Sequence, residues 1–201
     1  FNLPSITVHT DAGTETLTLN VGTVTAAATL DAEGVFLSVT LEDNDLNLIK
    51  KAPNLFTSKS DSVITFVSTM IVDNSGNSVT SNTITSDDFK NDIVQPELTD
   101  VELDLTTNVL TLSFSETMDV STFMASSFVI QTGAGIGLIE RELVSPTAPS
   151  DLLSDWTIFE VSLSPADVHA IKENLDLAID ESNTFLRIKS GDAIKDMALN
   201  E

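Results

Sequence analysis

The sequence predicts an all-β fold, built as two sandwich domains in tandem with one short helix in each. Three observations carry this. The chain repeats itself: Phe1, Ser5, Thr10, Ala12 and Gly13 recur as Phe123, Ser127, Thr132, Ala134 and Gly135, at an offset of 122 residues. Leu30, Val39, Leu41, Asp45, Ile49, Lys50 and Leu55 recur at the same offset as Leu152, Val161, Leu163, Asp167, Ile171, Lys172 and Leu177. Near the end the offset becomes 123, where Ile71, Asp73 and Asn77 answer Ile194, Asp196 and Asn200. Self-similarity at a fixed period marks an array of like domains. Short runs of alternating apolar and polar residues dominate both copies, which is the period of a half-buried strand. Each copy contains one helical pattern.

In the first copy, residues 5–8 form a short strand, and 16–21 and 35–41 alternate as strands. Asp43 is expected to cap a helix that runs to Lys50, and 63–67 is a late core strand. In the second copy, Val101, Leu103 and Leu105 alternate, 106–108 turn, and Leu110, Leu112 and Phe114 alternate again, which predicts a hairpin. Strands follow at 127–130, at Phe159, Val161 and Leu163, and at 185–188. Ser164 and Pro165 are the cap and first residue of the second helix. In both helices an acid near the start and a lysine near the end suit the macrodipole. Valine, isoleucine, threonine and phenylalanine fill the strand runs, as a pleated, half-buried surface prefers.

The resulting division is a first repeat over 1–86, an acidic linker over 87–96 and a second repeat over 97–201. Residues 80–122 have no counterpart ahead of Phe1, so the first repeat is expected to be incomplete at its N-terminus. Strands to complete it would come from upstream residues of the same polypeptide or from a neighbouring subunit by strand donation.

Composition narrows the function. The net charge is −22, which repels phosphate backbones and anionic membranes and argues against nucleic acid as a partner. No apolar run approaches the roughly 20 residues of a membrane span, so direct membrane insertion is not expected. Cysteine is absent, which removes disulfides, thiolate metal sites and a cysteine nucleophile. No asparagine lies in an N-glycosylation sequon, although the loop 145–150 is suited to O-glycans. His9 and His169 answer Gln131 and Asn47 across the repeat, so neither is kept and both read as surface residues. No phosphate loop or nucleophile elbow is present, and no enzymatic activity is expected.

About seven short strands per repeat read as an Ig-like β-sandwich. Two segments make the likeness more specific. The run Leu110-Thr111-Leu112-Ser113-Phe114-Ser115-Glu116-Thr117-Met118-Asp119 resembles the LTFSE-x-hydrophobic-D segment of bacterial-type Ig-like tandem repeats in S-layer proteins, large adhesins and surface filament proteins. Val72–Asn77 is similar to their D-x-x-G-N turn, and Leu199 replaces the glycine in the second copy. The resemblance implies a non-catalytic structural module of an extracellular or cell-surface protein. Its partners would be neighbouring repeats of the same or adjacent chains, with glycans as possible ligands. A second expectation, from another class, is a carbohydrate-binding or accessory module of a larger secreted enzyme. Trp156, the only tryptophan, bears on that choice, and packing is its simpler role.

Calcium is the candidate cofactor. Hard cations take six to eight oxygens from carboxylates, amides and carbonyls. The linker supplies Asp87, Asp88 and Asp92; the segment after Phe114 supplies Glu116 and Asp119; the closing turn supplies Asp196 and Asn200. These seven residues are the expected ligands, and the resemblance implies that an ion there would stiffen the junction between repeats. The plain alternative is that Glu116 and Asp119 cap a turn and the linker is solvated.

Overall fold

The computed structural model describes residues 2–20, 28–30, 37–135, 139–144, 146–153, 155–189 and 191–200. Its strands form several antiparallel sheets and its two α-helices are short, so the chain is all-β in class. It divides into two compact units, Phe1–Asp92 and Ile93–Glu201, and the division falls within the segment 87–96.

The first unit contains β1 (Ile6–His9), β2 (Thr16–Thr18), β3 (Ala28–Leu30), β4 (Leu37–Val39), α1 (Asp43–Lys51), β5 (Val63–Phe66) and β6 (Asn82–Thr85). One antiparallel sheet has the order β2-β1-β5-β6, and β3 pairs with β4. Ile6, Val8, Leu19, Ile49 and Leu55 are buried together, with Leu17, Val39, Leu41 and Phe66 packed against them. Of the expected strand residues, Val21, Val35 and Phe36 lie outside the described residues.

The second unit contains β7 (Leu98–Asp104), β8 (Val109–Phe114), β9 (Met118–Asp119), β10 (Phe128–Gln131), β11 (Glu140–Glu142), β12 (Ser150–Asp151), β13 (Ile158–Ser162), α2 (Pro165–Glu173), β14 (Phe185–Ile188) and β15 (Lys195–Asp196). Its sheets have the orders β12-β13-β8-β7, β11-β10-β14 and β15-β9. Leu110, Leu112 and Phe114 from β8 and Phe159 and Val161 from β13 meet Phe128 and Ile130 from β10 in one core. Alternation explains the pattern: in β8 every second residue is buried, because successive side chains point to opposite faces.

The units repeat one plan. β1, β4, α1 and β5 occupy the positions of β10, β13, α2 and β14 at the 122-residue offset. Phe56 and Ala178, also at that offset, both take positive φ, at 57° and 53°. The offset is not constant, however. Val8 pairs with Leu17 while Ile130 pairs with Arg141, so β2 matches β11 with two extra residues. The cause is the connection, which is two residues longer in the second unit, at 132–139 against 10–15. Leu19 and Leu143 are therefore true counterparts; their N–H groups donate to the carbonyls of Ile6 and Phe128.

One helix start is as expected and the other differs. Ser164 caps α2, its hydroxyl accepting from the Asp167 N–H at 3.1 Å. In α1 the cap position belongs to Glu42 and not to Asp43, which is already helical; the Glu42 side chain makes no capping bond. Glu42 has the extended backbone of a cap residue, at φ −78° and ψ 156°, and that geometry sets the helix start.

Both units carry the same turn after their late core strand. Asp73 accepts from the Asn77 N–H and side-chain amide, and Asp196 accepts the same two bonds from Asn200. Gly76 takes φ +84° in one turn and Leu199 takes +70° in the other. A non-glycine residue in this left-handed region costs about 1–2 kcal/mol, while glycine adds about 0.5–1 kcal/mol of unfolded-state freedom. Leu199→Gly is therefore expected to raise the melting temperature of the second unit by about 2–6 °C, measured by Trp156 fluorescence. A lower melting temperature would mean that Leu199 makes compensating contacts.

Candidate metal centre

Three of the seven expected ligands come together. Asp92, Glu116 and Asp196 each present a carboxylate oxygen, and these oxygens lie within 4.8 Å of one another. Glu116 and Asp196 are buried, and Asp92, the residue leading directly into the second unit, is half-buried. Pairing of β9 with β15 explains two of the three positions. It sets Asp196 opposite Met118, and Glu116 lies two residues before Met118 along the chain.

The spacing lets one cation touch all three oxygens, because oxygens about 2.4 Å from a shared centre lie no more than about 4.8 Å apart. The donors are all carboxylate, with no histidine or cysteine in the cluster, so any ion there would be held by hard oxygen donors. Burial adds to the case, because a desolvated carboxylate needs a compensating donor or cation. Each acid already has polar contacts. Asp196 accepts from the Asn200 N–H at 2.7 Å and from its side-chain amide at 2.8 Å. Asp92 pairs with Lys50 at 2.6 Å within the first unit, and Glu116 also has polar or electrostatic partners. An ion would join an existing network.

Asp87, Asp88 and Asp119 are not in the cluster, and Asn200 adjoins it. Asp119 turns to its own backbone, accepting from the Ser121 N–H at 3.0 Å and the Ser121 hydroxyl at 2.6 Å, so it caps a 3-10 turn. Asp87 and Asp88 are exposed, and Asp88 accepts from the adjacent Phe89 N–H. Asn200 serves the cluster indirectly, by holding Asp196.

Other singled-out residues have plain roles. Trp156 is half-buried and lies edge-on to Phe159, with ring centres 6.4 Å apart. His9 is half-buried in β1, bonded to the Thr10 carbonyl and the Thr65 hydroxyl, and His169 is exposed. In the loop 145–150, Thr147 is tied to Ser162 by two bonds, whereas Ser145 lies outside the described residues.

The sequence reading missed the ion pair that holds a fully buried carboxylate. Arg141 of β11 donates to Asp167 of α2 through Nε at 2.9 Å and Nη2 at 2.7 Å. Asp167 is fully buried and Arg141 partly so. A signal was present: Asp167 recurs from Asp45, and a buried polar residue near a helix start needs donors.

No helix among the described residues is long and apolar enough to cross a membrane. Comparisons with protein-family models, with curated proteins and with solved structures give no match.

Proposed function

We propose that this chain is a structural repeat module of an extracellular adhesin, surface-layer or filament protein, with no catalytic role, and that its acidic cluster binds calcium. The repetition of one plan in two successive units carries the reading. A catalytic domain needs one set of reacting groups, whereas a stalk or lattice needs the same module many times. The recurring features support it too, because they are packing and turn residues: Ile49 and Ile171, Leu55 and Leu177, Asp73 and Asp196. The LTFSE-like run and the closing turn supply the surface-protein part of the reading. Trp156, packed against Phe159, favours this module over a sugar-stacking one.

Calcium and chelator test the cluster. A ligand that binds only the folded state stabilises it by about 2.7 kcal/mol at a hundredfold excess over Kd. Calcium is expected to raise the melting temperature of the second unit, followed through Trp156, and EDTA to reverse the rise. Glu116→Gln combined with Asp196→Asn is expected to abolish the response. Identical melting curves in calcium and EDTA would leave the acids as a solvated, hydrogen-bonded cluster. The module itself is tested on the native assembly: electron micrographs should show a regular stalk, filament or layer. A turnover abolished by changing one polar residue would overturn the structural reading.

A further inference from the structure

The two units treat the same buried carboxylate in opposite ways. In the second unit Asp167, the third residue of α2, is shielded from solvent and fully supplied with donors. Arg141 gives two bonds to Oδ1, the Val144 N–H lies 3.2 and 3.1 Å from the two oxygens, and the Ser164 hydroxyl donates to Oδ2 at 2.8 Å. In the first unit Asp45 holds the same place in α1 and is 1% exposed. The Asn20 N–H, the counterpart of Val144 in the shifted register, still donates to its Oδ2 at 3.0 Å. The other two donors are replaced. Leu17 stands in register where Arg141 stands, and Glu42 stands at the cap where Ser164 stands. As a result Asp45 Oδ1 and Glu42 Oε1 are both buried with no hydrogen-bond partner.

Two ionised carboxylates cannot satisfy each other, since both only accept. A buried carboxyl in that position keeps its proton instead of its charge. Glu42 at the cap and Asp45 at the third helical position stand three residues apart at the start of α1. A single proton between them supplies both missing partners.

We propose that Asp45 is protonated in the folded first unit, its Oδ1 hydroxyl donating to Glu42 Oε1. Glu42 is the acceptor of that bond at the start of the helix. Asp45 becomes a neutral donor, and the first unit holds with a proton the position that the second holds with a guanidinium. Burial pushes the Asp45 carboxyl above its ordinary 3.8, against the Asn20 N–H, which favours the anion. Among the described residues, the elements of this core carry the following charged or titratable groups. On α1, Asp43 is exposed and Lys50 and Lys51 lie in the last turn. β1 brings His9, bonded to Thr10 and Thr65. Residues 17–20 and 37–41, which contribute to the same core, bring no titratable side chain.

The sign of the pH response follows. A carboxyl whose pKa is raised by folding stabilises fully below its unfolded value of 3.8, and the benefit is lost as pH rises through the raised value. Asp167 behaves oppositely. Burial pushes it up, but bonds from Ser164, Arg141 and Val144 and the Arg141 charge outweigh burial and hold it below 3.8. Its stabilisation is present above 3.8 and is lost as pH falls through the depressed value.

The test uses the whole chain, with carbon-13 NMR of the side-chain carboxyls and hydrogen exchange of the β5 amides. Asp45 is expected to titrate above the other aspartates. Exchange protection of β5 should fall tenfold per pH unit between 3.8 and the Asp45 value in the folded unit. Asp45→Asn, which carries a permanent donor, should remove that dependence and keep full protection at alkaline pH. Leu17→Arg is the second variant; it restores a guanidinium at the register position and should return Asp45 to titrating at or below 3.8. Ionisation of wild-type Asp45 at or below 3.8 would overturn the proposal. So would sodium- or calcium-dependent protection with Asp45 ionised, which would assign the position to a metal ion.

Discussion

Arg141→Ala is expected to lower the melting temperature of the second unit by about 15–30 °C. The guanidinium gives Asp167 two of its bonds and an opposite charge at 2.7 Å. Asp167 is fully buried, so it cannot turn to water when the partner is lost. Removing one member of a buried ion pair costs about 3–5 kcal/mol, because the remaining charge is uncompensated. For a domain of this size each kcal/mol shifts the melting temperature by about 4–8 °C. The Ser164 and Val144 bonds remain and place the loss toward the lower end of that range. Two further results identify the cause. Asp167→Asn in the Arg141→Ala background should recover part of the loss, since the unpaired charge is gone. Acid should erase part of the difference between wild type and Arg141→Ala, because protonated Asp167 needs no cation. A loss below about 1 kcal/mol would make the pair equivalent to an exposed one, and the Asp167 site would then be wetter than its burial implies.

The Arg141–Asp167 pair also shows where the sequence was legible and where it was not. Strands that bury one face announced themselves: the alternation of Leu110, Leu112 and Phe114 reappears as the burial pattern of β8. β6 and β11 did not. All four β6 residues are exposed, and β11 is Glu-Arg-Glu, so neither carries an apolar period. These strands exist because a neighbouring strand offers its backbone edge, which is information about the tertiary fold. The two-residue shift between β2 and β11 was hidden for the same reason. An ungapped offset aligns Leu19 with Arg141, whereas backbone pairing aligns it with Leu143. The acidic cluster was half legible. Burial and spacing select Asp92, Glu116 and Asp196, while Asp119, near in sequence and equally acidic, is taken by Ser121. Composition identified the pool of oxygens, and the tertiary fold decided which of them converge.

Phe159→Ala should weaken the second unit by about 3–5 kcal/mol, without affecting the first. Phe159 is fully buried on β13 and joins residues from different elements. It stacks on Phe114 of β8 with centres 5.6 Å apart, meets Phe123 edge-on at 6.2 Å and meets Trp156 at 6.4 Å. Phe123 in turn stacks on Phe128 of β10 at 4.9 Å. The aromatic chain therefore links the sheet of β8 and β13 to the sheet of β10. Deleting its middle member removes transfer free energy and leaves a cavity that both sheets must close. Against a typical domain stability of about 5–15 kcal/mol, this loss approaches unfolding at ambient temperature. Phe159→Leu, which keeps most of the volume, should cost under about 1.5 kcal/mol. Trp156 reports the second unit alone, so its fluorescence should move to a lower melting temperature. Exchange of the β5 amides, a report from the first unit, should stay unchanged. A parallel loss of β5 protection would show that the two units melt as one, and the reading of separable repeats would fall with it.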